Sequence, residues 1–213
     1  MTSRAGAESR RAVFLDRDGT LIHDVGYLRR VADVSFFPWT VDAIRALGRA
    51  GLRVIVVTNQ SAVARGLLSE AGLDEIHRHM SSILEAGGAR IDAYYYCPHH
   101  PDGSVEPYRR LCDCRKPGRG MIDRAVQAFG LDPAGSFVVG DKWLDIALAR
   151  AVGARGILVR SGYGRSEEAE PRPGLVADQV ADNLAGAASW ILQRLDRQST
   201  IEHRRPVVHP QSS

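Results

Sequence analysis

Lysine is nearly missing from this chain. Of 28 basic residues among 213, only Lys116 and Lys142 are lysine and 26 are arginine. A bias that broad is a property of the whole sequence. A lysine kept against it marks a place suited to a compact ammonium and not to a planar guanidinium. Cysteine is scarce as well, with three residues, an odd number that argues against a disulfide framework. No stretch approaches the roughly 18 uninterrupted apolar residues of a membrane span. The opening MTSRAGAESRRAVFLD lacks a signal-peptide core, so a cytoplasmic protein without a membrane partner is expected. Charge of one sign is lacking too: 28 basic and 25 acidic groups leave +3, and the basic residues are scattered. Nucleic acid is therefore not the expected partner, although cations can gather locally around an anionic small molecule. What remains is ordinary globular composition, 44% hydrophobic and 25% charged. At this length one domain can bury about 70% of its unfolded surface without a staple.

Short apolar runs alternate with helical periods. Ala12 to Leu15, Leu52 to Val57, Ile91 to Tyr96, Phe137 to Val139, Ile157 to Val159 and Val176 to Val180 read as six strands. Helices are expected around Val41, Ile44 and Leu47, over Met121 to Phe129, Ile146 to Val152 and Asp182 to Leu195. Another begins at a Ser69 cap, with Leu73, Ile76, Met80, Ile83 and Leu84 on its apolar face. Strand and helix in alternation imply right-handed crossovers and an α/β doubly wound parallel sheet. The expected division is a flexible segment 1–10, a single domain 11–196 and a disordered tail 197–213, with 163–174 a further mobile loop. Ligands of such sheets bind beyond the carboxyl ends of the strands, where Asp16, Thr58 and Asp141 stand.

Asp16-Arg17-Asp18-Gly19-Thr20 follows the first strand. If the chain stays extended, Asp16 and Asp18 project together and Arg17 points elsewhere. Two carboxylates so close repel, and a cation between them or a proton on one relieves the site. One can then serve as nucleophile against a divalent cation, the other in acid and base work. Lys142, beside Asp141, reads either as a partner of this acidic cluster or as a surface ion pair. Trp143 reads as packing.

All three cysteines fall in a loop without a clear period, Cys97-Pro98-His99-His100 and then Cys112-Asp113-Cys114. Three thiolates and one imidazole complete a tetrahedron around zinc and leave no open position, which makes a structural site. Spacing does not choose between His99 and His100. Arg115 and Lys116 come next in the chain, so a zinc staple over 97–116 would fix two cations at the site mouth.

The combination FLDRDGT, VVTNQS, CRKP and VVGDKWLD resembles the haloacid dehalogenase superfamily of phosphotransferases. The resemblance implies that Asp16 attacks phosphorus and that Asp18 protonates the leaving oxygen and then activates water. It further implies that Thr58 and Lys116 bind the phosphoryl oxygens, and that Asp16, the backbone carbonyl of Asp18 and Asp141 hold Mg²⁺, with Asp145 in support. A hard oxygen set suits that ion.

Within the superfamily, CPHHP, CDCRKP, TNQSAVARG and DRDGTLIHDVGY look like the D-glycero-D-manno-heptose 1,7-bisphosphate 7-phosphatases, enzymes without a large cap. That resemblance implies structural zinc on Cys97, His99, Cys112 and Cys114. It implies substrate contacts at Asp24, Val25, Gly26 and Tyr27, at Thr58, Asn59, Gln60 and Ser61, and at Arg115 and Lys116. Arg65 joins them on physical grounds, because a second phosphate rewards a further cation. A small phosphosugar substrate and a monomer are expected. Zinc-bearing histidinol-phosphate phosphatases and a non-catalytic phosphosugar-binding module are the alternative readings.

Overall fold

The computed structural model describes residues 11–203, so the expected N-terminal segment 1–10 and residues 204–213 of the expected tail lie outside the described residues. Six strands form one parallel sheet: β1 (Ala12–Leu15), β2 (Arg53–Asn59), β3 (Ala93–Cys97), β4 (Phe137–Gly140), β5 (Arg155–Val159) and β6 (Gln179–Ala181). Their order is β3-β2-β1-β4-β5-β6, the doubly wound arrangement expected. Leu15 lies level with Val56 on one side and with Val139 on the other. The chain winds outward from β1 to β3 and then returns to β4. The winding direction thus reverses beside β1, the place where such sheets open a crevice.

Every residue of β1 is buried because both faces are covered. Val13 and Leu15 pack with Val54, Val56 and Val139 beneath α1 (Thr40–Arg49), α3 (Glu70–Ala86) and α7 (Leu184–His203). Ala12 and Phe14 face the opposite layer, where α4 (Gly120–Phe129) and α5 (Trp143–Val152) supply Met121, Ile122 and Leu148. Two short helices, α2 (Ser61–Ala64) and α6 (Gly164–Ala169), complete the set.

Some details depart from expectation. The Ser69 hydroxyl caps α3 by accepting from the Gly72 amide at 3.1 Å, but Ile83 is 37% exposed. The buried stripe runs instead through Leu73, Ile76, His77, Met80 and Leu84. The sixth strand starts later than Val176, which is 83% exposed, because Asp178 accepts from the Gly156 amide and pins the entry to β6. The stretch 163–174, expected to be loose, contains α6. It is tied down where the Trp143 amide donates to the Glu167 carboxylate at 2.9 Å and the indole NH donates to the Glu167 carbonyl at 2.6 Å. Trp143 is thus a packed anchor. Helix α7 continues through 203, past the domain end expected at 196.

Candidate active site

Beyond Leu15 the chain keeps its register for one more bond, the Asp16 amide donating to the Val139 carbonyl at 2.9 Å. Gly19 then turns with φ +81°, a conformation that L side chains rarely adopt. Opposite it stands Gly162, and a Cβ on either glycine would overlap the Asp141 carboxylate. Two backbones therefore close directly around Asp141, whose Oδ2 accepts from the Tyr163 amide at 2.8 Å.

Three carboxylates, Asp16, Asp141 and Asp145, bring oxygens within 4.8 Å of one another. Lys116, 4% exposed, offsets part of that charge. Its Nζ lies 2.8 Å from Asp16 Oδ1 and 2.6 Å from Asp145 Oδ1. Burial disfavours the ammonium, but Asp145 and Asp16 outweigh it and push the Lys116 pKa up. Burial and then the charge of Asp16 push Asp141 up to about 8. Burial raises Asp145 to about 6 against the pull of Lys116. Asn59 holds the backbone of Lys116, accepting from its amide at 2.9 Å and donating to its carbonyl at 3.3 Å.

A divalent cation fits this cluster. Asp141 Oδ1 is buried without a hydrogen-bond partner among the described residues, and such an oxygen is costly unless a cation compensates it. The donors are all hard oxygens, the set Mg²⁺ prefers.

The Asp18 carboxylate is not in the cluster. Arg17, expected to point away from it, folds back: Nε donates to Asp18 Oδ2 at 3.1 Å and Nη2 to Oδ1 at 3.0 Å. The strand ends at Leu15 and the chain bends at Arg17, so strict alternation does not hold there. Gln60 donates from Nε2 both to Asp18 Oδ2 at 2.9 Å and to the Thr58 hydroxyl at 2.8 Å.

These groups open into a cleft of about 190 Å³. Of the expected substrate contacts, Asp24, Gly26, Tyr27, Thr58, Asn59, Gln60, Ser61, Arg115 and Lys116 line it. Val25 does not, and is 52% exposed. Arg65 does not line it either; its guanidinium lies 5.9 Å from the ring centroid of Tyr27, which does. Leu28, Ala62 and Leu144 line the cleft without having been expected there, and Lys142, read as a partner of the acidic cluster or as a surface ion pair, lines it too. Lys142 reaches 3.4 Å from Asp24 and 4.6 Å from the Tyr163 ring centroid, so it belongs to the cleft and is no surface pair. Its scarcity as a lysine and its place beside Asp141 were the signals available.

The zinc question has a geometric answer for histidine. Sulfur pairs among Cys97, Cys112 and Cys114 lie 3.2 to 3.5 Å apart, and His99 Nδ1 is 3.2 Å from the Cys114 sulfur. His100 turns elsewhere, its Nδ1 accepting from the Asp102 amide. A tetrahedral zinc with bonds near 2.3 Å holds sulfurs about 3.8 Å apart, so small outward shifts would seat an ion. Burial, then the hydrogen bond with Cys114, pushes the Cys97 thiol up, and a bound dication is what ionises such a set.

Comparison with known proteins agrees with this architecture. Residues 11–146 match the polynucleotide kinase 3 phosphatase family model and residues 113–185 the HAD-hydrolase-like one. The D-glycero-beta-D-manno-heptose-1,7-bisphosphate 7-phosphatase of Escherichia coli (strain K12) is 43% identical over 178 residues, covering 83% of this chain and 93% of that protein. Its counterpart in Salmonella typhi is 42% identical over 187 residues, 87% of this chain and 97% of that one. Among solved structures, the D,D-heptose 1,7-bisphosphate phosphatase from B. bronchiseptica, complexed with magnesium and phosphate, superposes with a TM-score of 0.77 at 34% identity. That match covers 86% of this chain and 99% of the other. With relatives this similar along nearly their whole length, the chain belongs to the D-glycero-D-manno-heptose 1,7-bisphosphate 7-phosphatase family of the haloacid dehalogenase superfamily.

Proposed function

We propose that this phosphatase removes the 7-phosphate of D-glycero-D-manno-heptose 1,7-bisphosphate, a step toward nucleotide-activated heptose. The observation that carries the reading is one cleft lined by Asp16, Asp18, Thr58 and Lys116 together with two further cations, Arg115 and Lys142. A substrate with two phosphates meets cations for both, whereas the cationic histidinol phosphate gains nothing from the outer pair.

In this reading an Asp16 oxygen attacks phosphorus and the bond to the sugar oxygen breaks. Asp18 gives that oxygen its proton, so the sugar leaves as an alcohol and Asp16 carries the phosphoryl group. Asp18, now a carboxylate, takes a proton from water, whose oxygen attacks phosphorus and frees Asp16 with inorganic phosphate. Lys116 and the Thr58 hydroxyl hold the phosphoryl oxygens throughout. Lys116 does so as a compact point charge, kept in place by Asp145. Asp16, the Asp18 carbonyl and Asp141 would hold Mg²⁺. When bound, the ion neutralises charge on the phosphoryl group and on the carboxylates. Cys97, His99, Cys112 and Cys114 would hold structural zinc, setting the loop from which Arg115 and Lys116 project.

The test is phosphate release in Mg²⁺ with each anomer of the bisphosphate and with histidinol phosphate. The β anomer comes first, since the relatives are named for it. Strong preference for a bisphosphate supports the reading. Preference for histidinol phosphate overturns the substrate, and binding without turnover overturns catalysis.

A further inference from the structure

Arg17 is 1% exposed, and a guanidinium so deeply buried is costly unless its donors are satisfied. Beyond the fork onto Asp18, Nη2 donates to Gln60 Oε1 at 2.9 Å and Nη1 meets His77 Nε2 at 3.4 Å. His77 is stacked on Tyr94, ring centroids 4.4 Å apart, and is itself buried. It meets Arg17 with a neutral, accepting nitrogen, because burial and then the Arg17 charge push its pKa down to about 3. Arg17 does not line the cleft, whereas the Asp18 it holds does.

We propose that Arg17 is a positioning residue of the phosphatase reaction: its guanidinium fork, backed by His77 and Gln60, fixes the plane of the Asp18 carboxyl relative to the phosphoryl site. A two-point fork sets orientation as well as distance, which a single contact does not. The second hold, from Gln60, runs on to Thr58, so the proton donor and the phosphoryl-binding hydroxyl share one frame. Proton transfer of this kind contributes roughly 10²–10⁴-fold, and a shift of about 1 Å can forfeit ~10²-fold.

The inference rests on Asp18 as proton donor, and a leaving group that needs no proton isolates it. The measurement is kcat/KM for the heptose bisphosphate and for p-nitrophenyl phosphate in wild type, Arg17→Met and Arg17→Lys. This parameter covers steps up to departure of the leaving group. The expected result is that the ratio of sugar to aryl phosphate falls roughly 30-fold or more in both variants, each unfolding cooperatively. Equal loss on both substrates would show a packing role and overturn the proposal. A wild-type ratio in Arg17→Lys would overturn it as well, since charge without the fork would then suffice. If Arg17→Met does not fold, His77→Phe keeps the stacking and removes only the support behind Arg17. It must lower the same ratio, and an unchanged ratio there overturns the proposal. Failure of the substrate reading is distinguishable: the wild type then prefers histidinol phosphate, also an alkyl phosphate, and the same ratio is read with it.

Discussion

Lys116 stands between Asp16 and Asp145, 2.8 Å from the first and 2.6 Å from the second, with both carboxylates buried. One ammonium thus serves two roles. It lowers the charge of a three-carboxylate cluster, and it waits beside the proposed nucleophile where the phosphoryl group must arrive.

Asp145→Asn leaves the geometry of α5 nearly intact and removes one of the two anions on Lys116. Breaking a buried pair from one side costs about 3 kcal/mol, and the loosened lysine should lower kcat/KM by roughly 10²-fold. Urea unfolding and phosphate-release kinetics read the two effects. Wild-type turnover in the variant would remove Asp145 from the positioning of Lys116.

Asp16→Asn should abolish phosphate release on every substrate, because an amide does not form the acyl phosphate. Its fold should persist, since the substitution relieves Asp141 of the like charge that helps push it up to about 8. Circular dichroism with turnover assays checks both. Activity near wild type would refute Asp16 as nucleophile.

Cys112→Ser should release bound zinc and lower activity, because Arg115 and Lys116 follow the cluster directly in the chain. Plasma emission analysis of purified wild type and variant measures the metal. Equal zinc in both, or none in either, would remove the staple from the account.

His77 makes stability sensitive to mild acid. Its pKa is pushed from 6.5 to about 3 by burial and then by Arg17, with Asp18 opposing, while the Tyr94 and Tyr96 rings pack against it. The folded value lies below the unfolded one, so its contribution is present above pH 6.5 and declines as pH falls toward 3. The slope is at most ~1.4 kcal/mol per pH unit. The stability difference between wild type and His77→Phe, from urea unfolding at pH 7 and pH 5, should shrink toward the acid side. A pH-independent difference would contradict a buried neutral imidazole.

The parts of this molecule that repeat a period were legible in the sequence. All six strands and the sheet class follow from short apolar runs, since a strand covered on both faces needs only to be apolar. The carboxylates and Lys116 were legible because chemistry restricts them to few residue types. What escaped notice lacked either signal. Helix α6 is polar, GRSEEA, and is held by Arg160 just before it and by Trp143 from the start of α5. Arg17 was misplaced because alternation was extended one residue too far. The choice of His99 over His100 depends on loop path, which spacing does not encode.

The close crossing of Gly19 and Gly162 has a consequence for how this site can change over time. The wall residues Leu28, Ala62 and Leu144 can be exchanged to reshape what the cleft admits. At the crossing, a methyl group added to either turn would displace the Asp141 carboxylate. Lineages of this enzyme are therefore free to drift in selectivity at those wall positions, while these two turns must stay glycine for as long as Asp141 keeps its place between them.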